Sequence, residues 1–356
     1  MRGNILFAGA QSFAQSPNTQ DRCGTVLTQS TIDFQLNEFP RLLEASRRQP
    51  RLGTPFYFPL AIHIVRRSSH TGGFRLGQLD TALVDLNNHY TQLIWKFFVF
   101  GPIDYIDDDN TFLNTDTHTE YDALRGVNRV TGAINVYFLD LPSGLLGLSS
   151  FPQDEVQGIL IDINAAGVPM DPATLAHEVG HYFGLFHTHE TYYGVECPSG
   201  INCLTAGDQC CDTPADPNLD GHVSATCVYD NAVPLPGFPC DNTHYSPATD
   251  NVMSYSQSLC MTNFTTCQID RMYAIATTVR AVELFERTVF VDGSYVGPEL
   301  GLPWSPFNSL LEALAAAGSG DVIFLEPGVY PENALATGKA ILMNWDALAG
   351  SVVIGN

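Results

Sequence analysis

The sequence predicts an α/β (α+β) fold in which a sheet carries one histidine-bearing helix, followed by an irregular subdomain and a small β-rich segment. Three observations point there. Strand-like apolar runs alternate with helical patterns between residues 56 and 182. Eight of the nine cysteines then fall between Cys197 and Cys267, amid many Pro, Asp and Gly residues, as in a disulfide-stapled subdomain made for an oxidising compartment. Past Arg287 the texture turns to short β-forming runs. A length of 356 residues suggests two domains, and a hydrophobic content of 45% allows a sizeable core.

Residues 1–53 open on a short apolar, signal-like run and continue polar, arginine-bearing and weakly periodic, as a signal-like start and propeptide. Residues 56–65 read as a buried strand interrupted only by Pro59. Leu76, Leu79, Leu83, Leu86 and Tyr90 follow helical spacing. Residues 93–100, 133–141 and 158–163 read as further strands. Asp171 and Pro172 signal a helix start, an N-cap followed by proline at the first helical position. Ile269, Met272, Tyr273, Ala276 and Val279 mark a last helix. The reading divides the chain at 1–53, 54–287 and 288–356, with 54–287 as the catalytic domain.

That domain carries the chemistry. His177 and His181 lie four apart, so on a helix their imidazoles face one way and can bind one metal ion. Glu178 is placed to serve as general base toward a water held there. Gly184 can adopt a left-handed conformation, end the helix and return His187 as third ligand. Three nitrogens leave a fourth tetrahedral position open, which suits a catalytic zinc. A cysteine zinc site is the competing use of the cysteine-rich stretch, but adjacent Cys210 and Cys211 and the irregular spacings lack paired motifs. Cys23 stands far from the others and makes the count odd. Its thiolate is a strong zinc ligand, so it could fill the fourth position in a latent form. The basic stretch 47–51 offers an activation cut.

These motifs resemble those of the metzincins, whose second mark is a methionine turn; Met253, within Asn251, Val252, Met253, Ser254 and Tyr255, matches it. Thr188 follows the third histidine, where astacins, adamalysins and matrixins usually carry Glu, Asp and Ser. Together with the segments 207–214 and 260–265, this is similar to the pappalysin family over residues 23–280, about the whole catalytic domain. The resemblance implies a metzincin-type metallopeptidase domain with a twisted mixed sheet, an active-site helix and an irregular lower subdomain. It implies an antiparallel edge strand within 147–152 above the cleft, ready to pair with a peptide substrate. It gives Tyr255 a part in stabilising the tetrahedral intermediate, and Cys23, in an Arg-Cys-Gly context, the part of a latency switch. It also implies calcium held near Asp208, Asp212, Thr213 and Asp216, hard oxygen donors that suit that ion. The disulfides Cys211–Cys240 and Cys227–Cys260 are implied by resemblance alone, since spacing does not give pairings. Relatives that prefer arginine carry an acid just after the methionine turn. Here Ser256, Gln257, Ser258 and Leu259 follow it, so that preference does not carry over.

The tail resembles the opening coils of a right-handed parallel β-helix, in residues 289–293, 320–330, 340–343 and 351–354, with a helix at 309–317 covering the stack end. Strand character still runs at the last residue, so the expectation is either a stub of such a module or a fragment of it. A net charge of −22 argues against nucleic acid and against an anionic membrane surface. No run is long and apolar enough to span a bilayer. The leading expectation is a secreted zinc endopeptidase acting on peptide or protein substrates and made as a latent precursor. The alternative is an inactive surface protein of the same fold that binds polysaccharide.

Overall fold

A computed structural model describes residues 22–48, 55–142, 144–237, 240, 243–332, 338–345 and 350–355. The signal-like start and residues 49–51 of the basic stretch lie outside the described residues.

The first described residues form two short helices, α1 (Gln29–Asn37) and α2 (Phe39–Arg47). The weakly periodic sequence gave no sign of them. Thr28 caps α1 by accepting from the Thr31 N–H, Pro40 starts α2, and buried Phe39 ties the pair to the body of the protein. Docking, more than intrinsic propensity, stabilises helices of this length.

Next come β1 (Phe56–Arg66), α3 (Leu76–His89), β2 (Trp95–Val99), β3 (Asp104–Asp107), α4 (Asp109–Asn114) and α5 (His118–Arg125). The sheet is completed by β4 (Ile134–Leu139), β5 (Gly147–Ser149) and β6 (Ile159–Asp162). Its order is β2-β1-β4-β6-β5, with β3 also pairing β1. Every pairing is parallel except β5 with β6, so the sheet is mixed, with β5 as its antiparallel edge. The central strands read as unbroken apolar runs because both faces are covered. Leu60, Ile62, Ile64, Val136 and Phe138 pack toward α3 and toward α6 (Thr174–Tyr182). Val65, Tyr137, Leu139 and Leu160 meet Phe112 of α4 and Tyr121 and Leu124 of α5 on the other face. The first face buries the side of α6 opposite its imidazoles, and this sets the helix beneath β5.

Helix α6 starts later than Asp171 and Pro172 suggest. Asp171 does accept from the Thr174 N–H at 3.2 Å, but the Ala173 N–H donates to Ser258 Oγ at 3.1 Å and leaves the helical path. No helix or strand occurs among the described residues from 183 to 265. Four disulfides hold that stretch: Cys197–Cys240, Cys203–Cys211, Cys210–Cys267 and Cys227–Cys260. The expected Cys211–Cys240 bridge does not form. Consecutive Cys210 and Cys211 project to opposite sides: buried Cys210 reaches Cys267, while exposed Cys211 meets Cys203, eight residues earlier.

The chain closes with α7 (Thr266–Thr277), α8 (Ala281–Phe285), β7 (Thr288–Val291), α9 (Leu310–Ala316), β8 (Val322–Leu325), β9 (Gly328–Tyr330), β10 (Leu342–Asn344) and β11 (Val352–Ile354). Two parallel ladders, β7-β8-β10 and β9-β11, stack as successive coils. Val291, Ile323 and Leu325 form their own core with α9. Alternate residues Phe290 and Phe324 point the other way into the main core, where the Phe324 and Tyr57 ring centroids are 3.9 Å apart. Packing is therefore continuous across residue 288.

Candidate metal centre

His177 and His181 project from one face of α6 and are buried at 4% and 1% exposure. Each Nδ1 meets a backbone carbonyl at 2.7 Å, Val252 for His177 and Leu185 for His181. A carbonyl accepts only, so both Nδ1 atoms carry the proton and both Nε2 lone pairs face inward. His187 brings a third Nε2. The His181 Nε2 lies 3.2 Å from that of His177 and 3.0 Å from that of His187. Burial lowers the His177 pKa to about 4 and those of His181 and His187 well below the usual value, so the rings are neutral. Converging lone pairs repel unless a cation lies between them. Tetrahedral zinc with bonds of about 2.0–2.1 Å needs nitrogens roughly 3.3–3.4 Å apart, so these three imidazoles fit that ion. The Cys23 sulfur completes a group whose ligand atoms all lie within 4.8 Å of one another.

The turn that brings His187 back is built on Gly184, whose φ is +84°. Its N–H donates to the His181 carbonyl at 2.8 Å, and the Leu185 N–H donates to the Gly180 carbonyl at 3.0 Å, which closes the helix. Beneath the histidines, buried Met253 packs its sulfur against Gly180 so closely that no Cβ would fit there. The Met253 carbonyl accepts from the Thr188 N–H at 3.1 Å, and its N–H donates to Asn251 Oδ1 at 2.9 Å. The turn thus holds the backbone on both sides of the cluster.

Glu178 follows the first histidine and is 1% exposed. Burial pushes its pKa up to about 8. It lies under β5, where a Cβ on Gly147 would come within 2.8 Å of its Cγ. Residues 22–25 run alongside that edge: Cys23 bridges parallel to Gly147, the Gly24 N–H donates to the Gly147 carbonyl at 2.9 Å, and the Leu146 N–H donates to the Arg22 carbonyl at 2.8 Å. Thr25 Oγ1 donates to Glu178 at 3.2 Å. Burial, with Glu178 beside it, pushes the free Cys23 thiol well above its ordinary value. Tyr255 completes the group, its ring centroid 4.9 Å from that of His187. A cavity lined by Leu146, Thr174, Ser258 and Met261 opens beside His177 and Glu178. Arg22 reaches it, with its guanidinium 2.9 Å from the Ser256 carbonyl and 3.2 Å from Asp220.

The acidic residues behave differently from one another. Asp208 and Thr213 are buried, and Asp216 is partly so. Asp208 accepts from the Cys210 N–H and from Gln268, and Asp216 accepts from Thr188. Asp212 does not join them: it is exposed and accepts from the Cys267 N–H at 2.9 Å. Glu196 takes its place, 5% exposed, with an Oε2 that has no partner among the described residues. Burial raises Glu196 to about 8, with Asp208 and Asp216 adding to the rise, and burial lifts Asp208 to about 7 and Asp216 to about 6. Glu196 thus feels Asp208 and Asp216 through space and keeps one orphaned oxygen.

Sequence reading missed Glu196, which stands in no motif, and did not foresee that Thr25 and Gly147, both within segments it had singled out, would meet Glu178. It also missed His189, whose ring stacks 4.9 Å from His187 and 4.4 Å from Tyr255. The odd pairing of His187 and His189 around Thr188 was the one available hint for the last.

Residues 157–277 match the Peptidase_M43 family, described as pregnancy-associated plasma protein-A. An extracellular metalloprotease of Arthroderma gypseum is 27% identical over 288 residues, covering 76% of this chain and 89% of that protein. Another, from Arthroderma benhamiae, is 26% identical over 285 residues, covering 76% of this chain and 96% of that protein. Extracellular metalloprotease 1 of Coccidioides posadasii is 32% identical over 162 residues, 42% of this chain and 51% of that protein. Among solved structures, a promirolysin mutant of Tannerella forsythia shares the fold, with a TM-score of 0.51 at 17% identity, covering 74% of this chain and 98% of that one.

Proposed function

Because residues 157–277 belong to the Peptidase_M43 (pappalysin) family, we propose that the chain is a secreted zinc endopeptidase made as a latent precursor. One observation carries this reading: three neutral imidazoles turn their lone pairs to a single point beside a buried carboxyl group, under the sheet edge that residues 22–25 occupy. His177, His181 and His187 would hold the zinc, which supplies a Lewis acid that polarises the peptide carbonyl and acidifies water. Glu178 takes the proton from the attacking water and returns it to the departing amine, so no covalent enzyme intermediate forms. The edge of β5 holds the substrate main chain as an added strand. The Tyr255 hydroxyl donates to the oxygen that gains negative charge.

Residues 22–25 already use that edge, and this supports latency. Backbone pairing at Gly147 brings the Cys23 sulfur near the histidines, where it would serve as fourth ligand, and sets Thr25 over Glu178. Water and substrate are both excluded until the propeptide, residues up to 53, is cut within the stretch 47–51. Asp208, Asp216, Thr213 and Glu196 would hold calcium and stiffen the lower subdomain. Secretion is supported by four disulfides and by relatives named extracellular.

Incubating processed protein with a complex peptide library, with and without chelator, tests the reading. Cleavage that chelation abolishes and zinc restores is the expected result. Stoichiometric zinc without any cleavage would favour the inactive binding protein instead.

A further inference from the structure

Arg271 of α7 is 3% exposed, yet among the described residues a single neutral side chain answers its charge by hydrogen bonding: Nη2 donates to Gln35 Oε1 at 2.9 Å. Its Nε is buried with no partner among the described residues. The guanidinium stacks 4.6 Å over the Phe39 ring and lies 5.1 Å from the Phe186 ring. Asp208 acts on it through space but is hydrogen-bonded elsewhere, to the Cys210 N–H and Gln268. Gln35 and Phe39 both belong to the N-terminal helices, and an apolar cavity bounded by Phe34, Phe151, Phe186 and Ile275 remains between those helices and the domain.

This seat is continuous with the metal centre. Phe151 follows the edge strand β5, and its ring lies 5.6 Å from His181 and 5.7 Å from Phe186. A peptide laid along β5 and continued past Ser149 therefore reaches the surface that α1 and α2 now cover.

We propose that the seat of Gln35 and Phe39 is a substrate subsite, in which Phe186 and Phe151 take an aromatic side chain and Arg271 takes a neighbouring carboxylate. The inference rests on the peptidase reading and on removal of the N-terminal helices. An amide gives a guanidinium one uncharged acceptor, whereas a carboxylate answers Nη2 and Nε together in a charge-assisted pair. The N-terminal segment thus holds the seat with a weaker partner than the one it suits, and can be displaced. In a chain with 16 basic and 38 acidic residues, this cation is a local reversal of the prevailing field.

The test uses the full chain, zinc-loaded and nicked in the stretch 47–51, with a synthetic peptide of residues 27–48, which lacks Cys23 and has no thiol. Binding is read by fluorescence anisotropy. Gln35→Glu in the peptide should tighten binding about tenfold, Gln35→Lys should weaken it about tenfold, and Phe39→Ala should weaken it by a similar factor. On a chain carrying Arg271→Met, the Gln and Glu peptides should bind alike. Because the peptide variants need no refolding of the enzyme, a poorly folded Arg271→Met chain leaves the test intact. Cleavage sites in a denatured protein digest should be enriched in an aromatic residue near Glu or Asp on one side of the cut. A Gln35→Glu peptide that binds no tighter overturns the proposal. So does a digest without that enrichment, since the seat then serves only the N-terminal segment. Total lack of hydrolysis counts against the peptidase reading, and the binding arm separates that failure from failure of the seat.

Discussion

The Tyr255 hydroxyl makes two hydrogen bonds to the backbone of one residue, Cys23, accepting from its N–H at 3.2 Å and donating to its carbonyl at 3.2 Å. The group proposed to stabilise the transition state is thus engaged in the intact chain by the segment proposed to confer latency. Tyr255→Phe should act twice. In processed protein it should lower kcat about 10–10³-fold with little change in KM, as for an interaction made only in the transition state. In the intact chain it should loosen the hold on Cys23, read as faster cleavage of the stretch 47–51 by an added trypsin-like protease. Unchanged turnover would remove Tyr255 from the mechanism.

Metal content separates ligands from the base. Purified protein should contain about one zinc per chain, and His181→Ala should lose most of it, since two nitrogens do not hold a tight tetrahedral site. Glu178→Gln should keep the zinc and lose about 10²–10⁴-fold in peptide hydrolysis. Full zinc occupancy in the His181 variant, measured by mass spectrometry of the metal, would contradict the ligand set.

Latency should depend on the sulfur of Cys23. Cys23→Ala in the full chain leaves the backbone pairing at Gly147 available but removes the fourth ligand, so premature activity or faster self-processing is expected. A fully latent alanine variant would assign latency to the strand pairing and to Thr25 above Glu178 instead.

Calcium should matter most near neutral pH. Without a cation, Glu196, Asp208 and Asp216 hold their protons up to about 8, 7 and 6. Acids raised in the folded state contribute stability that is present below their unfolded values, near 4, and lost as pH rises through 6 to 8. In a calcium-selective chelator the Tm should therefore fall over that window. With calcium bound the fall should disappear, because the ion binds the ionised forms. Saturation at about 100 times Kd stabilises by about 2.7 kcal/mol, a shift of several degrees. Glu196→Gln should abolish most of the calcium effect; a Tm independent of calcium at pH 7.5 would rule out the site.

Gly180 should tolerate no side chain. Gly180→Ala drives a methyl group into the Met253 sulfur, and overpacking of this kind costs about 1–3 kcal/mol. The floor of the histidine cluster should shift with it, seen as weaker zinc retention in a chelator titration. Wild-type stability together with wild-type zinc retention would show that the turn yields freely.

Much of the fold and of the histidine cluster was legible in the chain. Strands β1, β2, β4 and β6 lie where apolar runs stand, and α3 and α7 where helical spacing stands, because burial of a face imprints its own period on the sequence. His177 and His181 come together by helical pitch and Gly184 turns the chain by its backbone freedom, both properties of a few adjacent residues. Helices α1 and α2 were not legible, since their stability comes from docking.

Contacts between distant parts of the chain were decided only by tertiary structure. Glu196 displaces Asp212 beside Asp208 and Asp216, Cys240 pairs with Cys197, and Arg271 meets Gln35 across 236 positions. The sequence by itself determined the local geometry and the chemistry on offer, because pitch, turn and burial periodicity are set by neighbours. Which carboxylates act on one another, which sulfurs meet and what covers Arg271 depend on the path of irregular chain between them, and that path is set by packing of the whole.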